Sequence, residues 1–315
     1  MRRRAFLGGL AALGVGGAWA VREGRAGDAA PGGASGSGPA GAGSALSSPG
    51  GSPNGLVDPS SFPEVWGVQL YTVRDRMAED VPGTLRAVAE MGYGEVEFAG
   101  LFGTSPRDMR ALLDDLGLRA ASSHHGIDAV RGDWESVLDG AETLGQSQVV
   151  LPSLPAEART PEGLRAVADE MNRAGEAARA RGLAFGFHNH DFEVTPLASV
   201  DVRPLDILLA ATDEALVSFQ LDLFWAVHGG TDPLDWFRGS PGRFRSVHVK
   251  DRTASGEMVA VGDGVLDFAR LLTVGEEVGG VRHAFVEHDR PGDSLGSIRT
   301  SIDHLNALRG QDQDR

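Results

Sequence analysis

The segment FGFHNHDFEV begins as an apolar run and then places four titratable side chains almost side by side, at His188, His190, Asp191 and Glu193. In an extended chain alternate residues face the same side, so His188 and His190 share one surface. Two imidazoles beside carboxylates are groups that bind a metal ion or move protons. The alternative is a polar strand end that passes into a solvated loop, and the remainder of the chain decides between the two.

The rest of the chain repeats one pattern that can position such strand ends. A short apolar run is followed by a polar turn and a helical pattern; in SPRDMRALLDDLG, Ser105 can cap the helix, Pro106 suits its first turn and Gly117 its end. Strands that alternate with helices imply parallel pairing, and eight units in about 250 residues match a (β/α)8 TIM barrel. The eight predicted strands are WGVQL at 66, GEVEF at 94, RAASSH at 119, SQVVL at 147, AFGFHNH at 184, VSFQLDLF at 217, FRSVHVK at 244 and HAFVEH at 283.

A doubly wound open sheet is the competing α/β architecture. Such a sheet usually carries a glycine-rich phosphate-binding turn after its first strand. The sequence QLYTVRD, which follows the first predicted strand, has no glycine. The barrel is therefore favoured.

Titratable residues recur at the carboxyl ends of at least five of the predicted strands. Barrel active sites lie at that end, and burying an ionisable group costs several kcal/mol unless the group is paired or binds a metal. A catalytic or metal site is therefore favoured over a purely structural role for the whole set. The set comprises Glu97, His124, His188, His190, Asp222, His248, Lys250 and Glu287.

Composition narrows the possible ligands. The chain has 315 residues, no cysteine and a formal net charge of −15. Any metal ion must therefore be held by His, Asp and Glu, and these side chains suit one divalent ion such as Mn²⁺, Zn²⁺, Co²⁺ or Mg²⁺. The negative charge and the lack of a Lys/Arg-rich run argue against nucleic acid as a partner. We expect a small-molecule ligand, and the sequence does not predict the oligomeric state.

Several motifs in order resemble the sugar phosphate isomerase/epimerase group of the xylose isomerase-like TIM barrels: GVQLYTVRD, HNHDFE, LDLFW with GGTDP, HVKD, VGDGVLDF and VEHDRP. The resemblance runs from about Phe62 to Leu308. It implies one divalent metal ion held by side chains on strands five to eight, with Asp222, His248 and Glu287 at the last three positions. Where many relatives read Glu-Asn-His on strand five, this chain reads His-Asn-His, so His188 is expected at the first position.

The resemblance also implies a reaction, namely removal of a proton next to the carbonyl of a carbohydrate or keto-sugar. Isomerisation or epimerisation is the leading expectation, with Glu287 and His190 as catalytic residues. A dehydratase or lyase that acts on a keto-sugar or inosose follows closely, because His188 stands where relatives use a second glutamate to move the proton. Expected substrate contacts, each with a packing, ion-pair or solvated-loop alternative, are Glu97, Glu193, Trp225 and Lys250.

Two further functions have weaker support. An exported carbohydrate-binding barrel without catalysis would not need the three matching ligand positions. Phosphodiester hydrolysis, which occurs on the same architecture, would need more metal ligands and a basic surface.

The N-terminal region predicts export. Residues 1–20 have a basic start that contains Arg3 and Arg4, a Gly/Ala-rich apolar stretch and a closing Ala-Trp-Ala, the pattern of a twin-arginine-type signal peptide. The apolar stretch is shorter than the roughly 20 residues of a spanning helix, so stable membrane insertion after signal removal is not expected. Residues 21–60 are mostly Gly, Ala, Ser and Pro, which predicts a disordered linker before a barrel over 61–310. The expected location is periplasmic or extracellular.

Overall fold

The computed structural model describes residues 65–313, with side chains described to residue 310. All eight predicted runs form strands of one closed parallel barrel, in the order β1-β10-β7-β6-β5-β4-β3-β2. The (β/α)8 prediction is confirmed, and the open-sheet alternative is wrong. The predicted signal peptide and linker, 1–60, lie outside the described residues. The barrel strands are β1 (Gly67–Gln69), β2 (Glu95–Phe98), β3 (Arg119–His124), β4 (Gln148–Leu151), β5 (Ala184–His188), β6 (Val217–Asp222), β7 (Phe244–Val249) and β10 (His283–Val286).

Helices surround the barrel and connect its strands. The α3 helix begins and ends as predicted, because the Ser105 hydroxyl accepts a hydrogen bond from the Asp108 backbone N–H and Gly117 adopts a left-handed conformation with φ of 69°. A small antiparallel pair, β8 (Asp251–Arg252) and β9 (Met258–Val259), follows β7. The helices are α1 (Arg74–Glu79), α2 (Val81–Glu90), α3 (Pro106–Leu116), α4 (Ile127–Arg131), α5 (Trp134–Leu144), α6 (Pro161–Ala180), α7 (Asp191–Val194), α8 (Pro204–Ala211), α9 (Leu223–His228), α10 (Pro233–Gly239), α11 (Phe268–Val274) and α12 (Ser294–Gln313).

The strands alternate between an apolar outer face and a polar barrel interior. Several hydrogen bonds cross the interior between strands that are not neighbours; for example, Gln148 donates to the Ser246 hydroxyl and Gln220 donates to Glu97. Most barrel interiors are filled by Val, Ile and Leu, so a polar interior is unusual and needs a complete set of partners. The alternating apolar residues, buried in the core with the helices, are Val96, Phe98, Val149, Leu151, Phe185, Phe187, Phe219, Leu221, Val247 and Val249.

One interior position requires glycine. A Cβ atom on Gly67 of β1 would lie 2.4 Å from the ring of Phe285 in the neighbouring strand β10. The aromatic ring therefore occupies the space that a side chain at Gly67 would fill, below the polar strand ends. Among the helices of residues 65–313, none has both the length and the apolar character needed to cross a membrane.

Candidate active site

Asp222 lies where β6 ends and α9 begins, and its two carboxylate oxygens have different surroundings. Oδ1 accepts the backbone N–H of Trp225 at 2.8 Å and caps the helix. Oδ2 is buried and accepts no hydrogen bond. It lies 3.8 Å from His188 Nε2, 3.9 Å from His248 Nδ1 and 3.0 Å from Lys250 Nζ. The free oxygen of Asp222 thus faces the ends of β5 and β7.

The two ring nitrogens of His248 face different glutamates. Its Nε2 atom lies 2.5 Å from Oε1 of Glu97. Its Nδ1 atom lies 2.6 Å from Oε2 of Glu287 in an ion-pair contact. Asp222, His248 and Glu287 each offer a ligand atom, and these atoms lie within 4.8 Å of one another.

His188 at the end of β5 is oriented in the same way. Its Nδ1 atom lies 3.1 Å from Oε1 of Gln220, which leaves Nε2 toward Asp222. The ring of His188 lies 4.5 Å from that of His248 between centroids. The structure therefore brings together all four predicted metal-ligating residues at one end of the barrel.

Lys250 is buried among three carboxylates. Its Nζ atom lies 3.0 Å from Asp222 Oδ2, 2.7 Å from Glu287 Oε2 and 2.6 Å from Asp289 Oδ1. It is also the only lysine of the chain. A compact ammonium group can approach three carboxylates this closely, whereas a planar guanidinium group cannot substitute for it in the same space.

Comparison with known proteins shows the family of the chain. The model of the xylose isomerase-like TIM barrel family matches residues 85–308, more than two thirds of the chain. The chain belongs to the xylose isomerase-like TIM barrel family. The predicted resemblance is thereby confirmed.

Relatives within the xylose isomerase-like family include two kinds of protein. Inosose dehydratase of Geobacillus kaustophilus is 26% identical over 244 residues, which cover 62% of this chain and 78% of the relative. Inosose dehydratase of Clostridium beijerinckii is 24% identical, with coverage of 60% and 78%. A crystal structure of a sugar phosphate isomerase/epimerase from Parabacteroides distasonis has a TM-score of 0.69 and 28% identity, and the match covers 77% of this chain and 93% of that one. These named relatives are enzymes.

Burial and neighbouring charges set the protonation of this xylose isomerase-like site. Burial raises the pKa of Asp222 to about 6, against the charge of Lys250. Burial would also raise the pKa of Glu287, but the charges of Lys250 and His248 outweigh it and hold that pKa below its ordinary value. Burial would lower the pKa of His248, but the charges of Glu287 and Glu97 raise it to about 10. The described site therefore alternates positive and negative groups.

Both histidines predicted at the end of strand five are uncharged at neutral pH; β5 ends at His188, and His190 lies just before α7. Burial, followed by the charge of His248, lowers the pKa of His188 well below its ordinary value. Burial also lowers the pKa of His190 to about 4. The His190 ring lies 4.9 Å from the ring of His188 and 5.8 Å from that of Trp225, which in turn contacts Phe224 at 5.0 Å. His190 and Trp225 thus form an aromatic wall beside the four candidate ligands.

Two glutamates that were expected to contact substrate are buried. Glu97 is 0% exposed, and its oxygens accept hydrogen bonds from barrel side chains. Glu193 is also 0% exposed; its Oε2 accepts the backbone N–H of His190 at 2.8 Å, while Oε1 has no partner. Burial raises the pKa of Glu193 to about 8. A substrate contact of either residue stays a prediction.

Sequence reasoning missed three side chains that hold the site. Gln220 lies between Glu97 and His188, and Asn189 accepts the backbone N–H of Asp222 at 3.0 Å through Oδ1. Asp289 pairs with Lys250, as described above. Gln220 interrupts the apolar run VSFQLDLF, and that interruption was the available signal. Asp289 stood within the quoted motif VEHDRP but was assigned no role.

Proposed function

We propose that this protein is a divalent-metal-dependent enzyme that removes a proton from the carbon next to the carbonyl of an uncharged keto-sugar or inosose, and that loss of water follows. One observation carries the proposal: the buried residues Asp222, His248 and Glu287 each offer a ligand atom at the same place, and these atoms lie within 4.8 Å of one another. Burying ionisable groups is costly unless they are paired or bind a metal. A divalent cation held by these atoms would offset part of that cost.

The donor set fits such an ion. His188 Nε2, Asp222 Oδ2, His248 Nδ1 and Glu287 Oε2 would hold it, and mixed imidazole and carboxylate ligands suit Zn²⁺, Mn²⁺ or Co²⁺, with Mg²⁺ also among the candidates. When bound, the ion would act as a Lewis acid on the substrate carbonyl. The protein's own groups must then move the protons.

Glu287 is the best-placed base. Its pKa is held below the ordinary value, so it is ionised at neutral pH. It is 7% exposed, whereas His188, Asp222 and His248 are 2%, 0% and 0% exposed. Glu287 is therefore the candidate ligand that a substrate entering from the mouth reaches most directly.

Lys250 supplies the matching acid. In the proposed step Glu287 takes the carbon-bound proton, the C–O bond of the neighbouring carbon breaks, and the departing hydroxyl takes a proton from the Lys250 ammonium and leaves as water. Lys250 then recovers a proton from Glu287, whose Oε2 is 2.7 Å from Nζ. The cycle is balanced and needs no outside acid or base. The neutral His188 offers no second carboxylate for a two-base exchange of stereochemistry.

The surroundings of Lys250 also support an uncharged substrate. Three carboxylates within 3.0 Å neutralise its ammonium group. The nearby Arg74 guanidinium group donates to the backbone oxygens of Tyr71 and Asp289 and lies over the Tyr71 ring. Neither cation is left to bind a phosphate group, so a polyol with a ketone fits better than a sugar phosphate.

Relatives support both possible outcomes. The inosose dehydratases favour loss of water, and their substrate class matches an uncharged cyclic ketone. The Parabacteroides distasonis structure favours isomerisation or epimerisation as the second candidate, in which the proton returns to the substrate instead. Both reactions share the proton removal assigned to Glu287.

The test is incubation of the purified full chain, loaded in turn with Zn²⁺, Mn²⁺, Co²⁺ and Mg²⁺, with inososes and keto-sugars in D₂O. NMR and mass spectrometry would follow the products. We expect loss of one water from an inosose. A rearranged sugar that carries deuterium would support the isomerase instead, and no exchange with any metal-loaded sample would refute the enzyme proposal.

A further inference from the structure

We propose that Glu97 is a positioning residue that fixes the tautomers of both histidines facing the candidate metal site. The inference rests on the metal site of the proposed function. Glu97 lies in β2, across the barrel from the ligands on β5 to β7, and it is not exposed. It is not itself one of the four candidate ligands.

The first contact is direct. Oε1 of Glu97 lies 2.5 Å from Nε2 of His248 and accepts a hydrogen bond from Gln69 at 2.9 Å. An ionised carboxylate is only an acceptor, so His248 must carry a proton on Nε2. When His248 is neutral, its lone pair is then on Nδ1, the atom that faces Asp222 and Glu287. A histidine that binds a metal commonly has its other nitrogen held in this way.

The second contact runs through Gln220. The side-chain nitrogen of Gln220 donates to Oε2 of Glu97 at 2.8 Å and to the Ser246 hydroxyl at 3.1 Å. A flipped amide would place two acceptor oxygens, one from Gln220 and one from Glu97, against each other. Glu97 therefore directs the Gln220 oxygen to the opposite side.

That opposite side holds the histidine of β5. Oε1 of Gln220 lies 3.1 Å from Nδ1 of His188 and 2.9 Å from Nε2 of His124. Because this oxygen can only accept, His188 carries its proton on Nδ1 and presents a lone pair from Nε2 toward Asp222. One carboxylate thus orients a ligand on β5 and a ligand on β7, although it is bonded directly to only one of them.

A second glutamate of β2 allows an effect on histidine orientation to be distinguished from an effect on protein stability. Glu95 is also a buried glutamate of β2 with a histidine partner, because its Oε2 lies 2.9 Å from Nδ1 of His283. That pair lies at the amino end of the strands, away from the candidate ligands. Glu95→Gln is therefore the matched control for Glu97→Gln.

The experiment measures zinc affinity by competition with a chelator, and histidine tautomers by nitrogen-15 NMR. In Glu97→Gln, a carboxamide must place an N–H group against either Gln220 or His248, so one orientation is lost. We expect zinc affinity to fall about 10- to 100-fold, and the Nδ1–H signal of His188 or the Nε2–H signal of His248 to change. Glu95→Gln should leave both readouts unchanged.

A double variant tests the hydrogen-bond direction itself. In Glu97→Gln/Gln220→Glu the new amide can donate to the new carboxylate and still accept from His248, while the carboxylate accepts from His188 and His124. We expect zinc affinity to return to within about three-fold of the original. A double variant as weak as Glu97→Gln would overturn the inference, as would a single variant with unchanged affinity and tautomers.

The two proposals can fail separately. If the original protein binds none of Zn²⁺, Mn²⁺, Co²⁺ and Mg²⁺, the proposed function fails. The inference is still tested, since the Nδ1 atom of His188 lies 3.1 Å from Gln220 Oε1 and the Nδ1–H and Nε2–H signals of the metal-free protein can be compared before and after Glu97→Gln. Unchanged signals of both His188 and His248 would overturn the positioning role, whereas loss of the Nδ1–H signal of His188 or of the Nε2–H signal of His248 would support it.

Discussion

Replacing Lys250 by Met should destabilise the metal-free protein strongly and the metal-loaded protein much less. The substitution keeps most of the side-chain volume but removes the ammonium group from between Asp222, Glu287 and Asp289. These carboxylates lie at 3.0, 2.7 and 2.6 Å from Nζ. Without the cation, negative groups face one another in a buried site, and a bound divalent ion is the one remaining positive charge of comparable strength.

The size of the effect can be worked from these contacts. At an effective dielectric constant of about 20, one contact near 3 Å is worth about 5 to 6 kcal/mol of attraction, and desolvation of the ammonium group offsets much of it. Breaking a buried pair by removal of one partner costs about 3–5 kcal/mol. At about 2–4 °C per kcal/mol for a domain of this size, the metal-free melting temperature should fall by about 6–20 °C.

Thermal denaturation followed by circular dichroism, with EDTA or with excess Zn²⁺, provides the assay. The unpaired carboxylates acquire raised pKa values, so they favour the folded state less as the pH rises, and the loss should be smaller at pH 5 than at pH 8. Lys250→Arg, which keeps the charge but changes its shape, serves as the comparison and should recover part of the stability without activity. A deficit that is equal with and without Zn²⁺ would refute the reasoning.

Four other predictions concern a candidate metal ligand, the proposed base, a structural glutamate and the export signal. Asp222→Ala should lose most of the bound metal, measured by elemental analysis after gel filtration; retention of one full equivalent would exclude Asp222 as a ligand. Glu287→Gln should abolish exchange of substrate hydrogen with D₂O while some metal binding remains, and persistent exchange would remove Glu287 as the base. Burial tends to raise the pKa of Glu95, but its histidine partner and a nearby arginine hold that pKa below the ordinary value. The stabilisation by Glu95 is therefore present at neutral pH and lost in acid. Glu95→Gln should reduce the free energy of unfolding by about 1–3 kcal/mol at pH 7, and a deficit that does not shrink below pH 4 would contradict this. The twin-arginine proposal predicts that joint replacement of Arg3 and Arg4 by Lys leaves precursor inside the cell, and normal export of that variant would exclude this route.

The strands were predictable because their signal is local. Each apolar run is short, has turn residues on both sides and lies before a helical pattern, so it needs no knowledge of distant residues. The α3 helix shows the same property, since Ser105 and Gly117 mark both ends within the segment itself. The barrel then follows from the number and order of the units.

The positions of the candidate metal ligands were predictable, whereas the side chains that orient them were not. Asp222, His248 and Glu287 stand at strand ends, where a parallel barrel brings side chains together whatever the loops do. The role of Glu97 depends instead on contacts between β2 and strands on the far side of the barrel. No periodicity within β2 distinguishes a carboxylate that faces substrate from one that accepts bonds from a glutamine and a histidine more than a hundred residues away.

The single lysine of the chain allows the site to be labelled selectively. Apart from the chain's own amino terminus, Lys250 Nζ is the only primary amine that an acylating or reductively methylating reagent can modify. Because Lys250 is 1% exposed, its modification requires the mouth of the barrel to open or its three carboxylate partners to separate. The rate of labelling, read as one mass increment, therefore reports how often the site opens. A ¹³C-methyl group placed there would give one NMR signal from the centre of the candidate site, without any mutation.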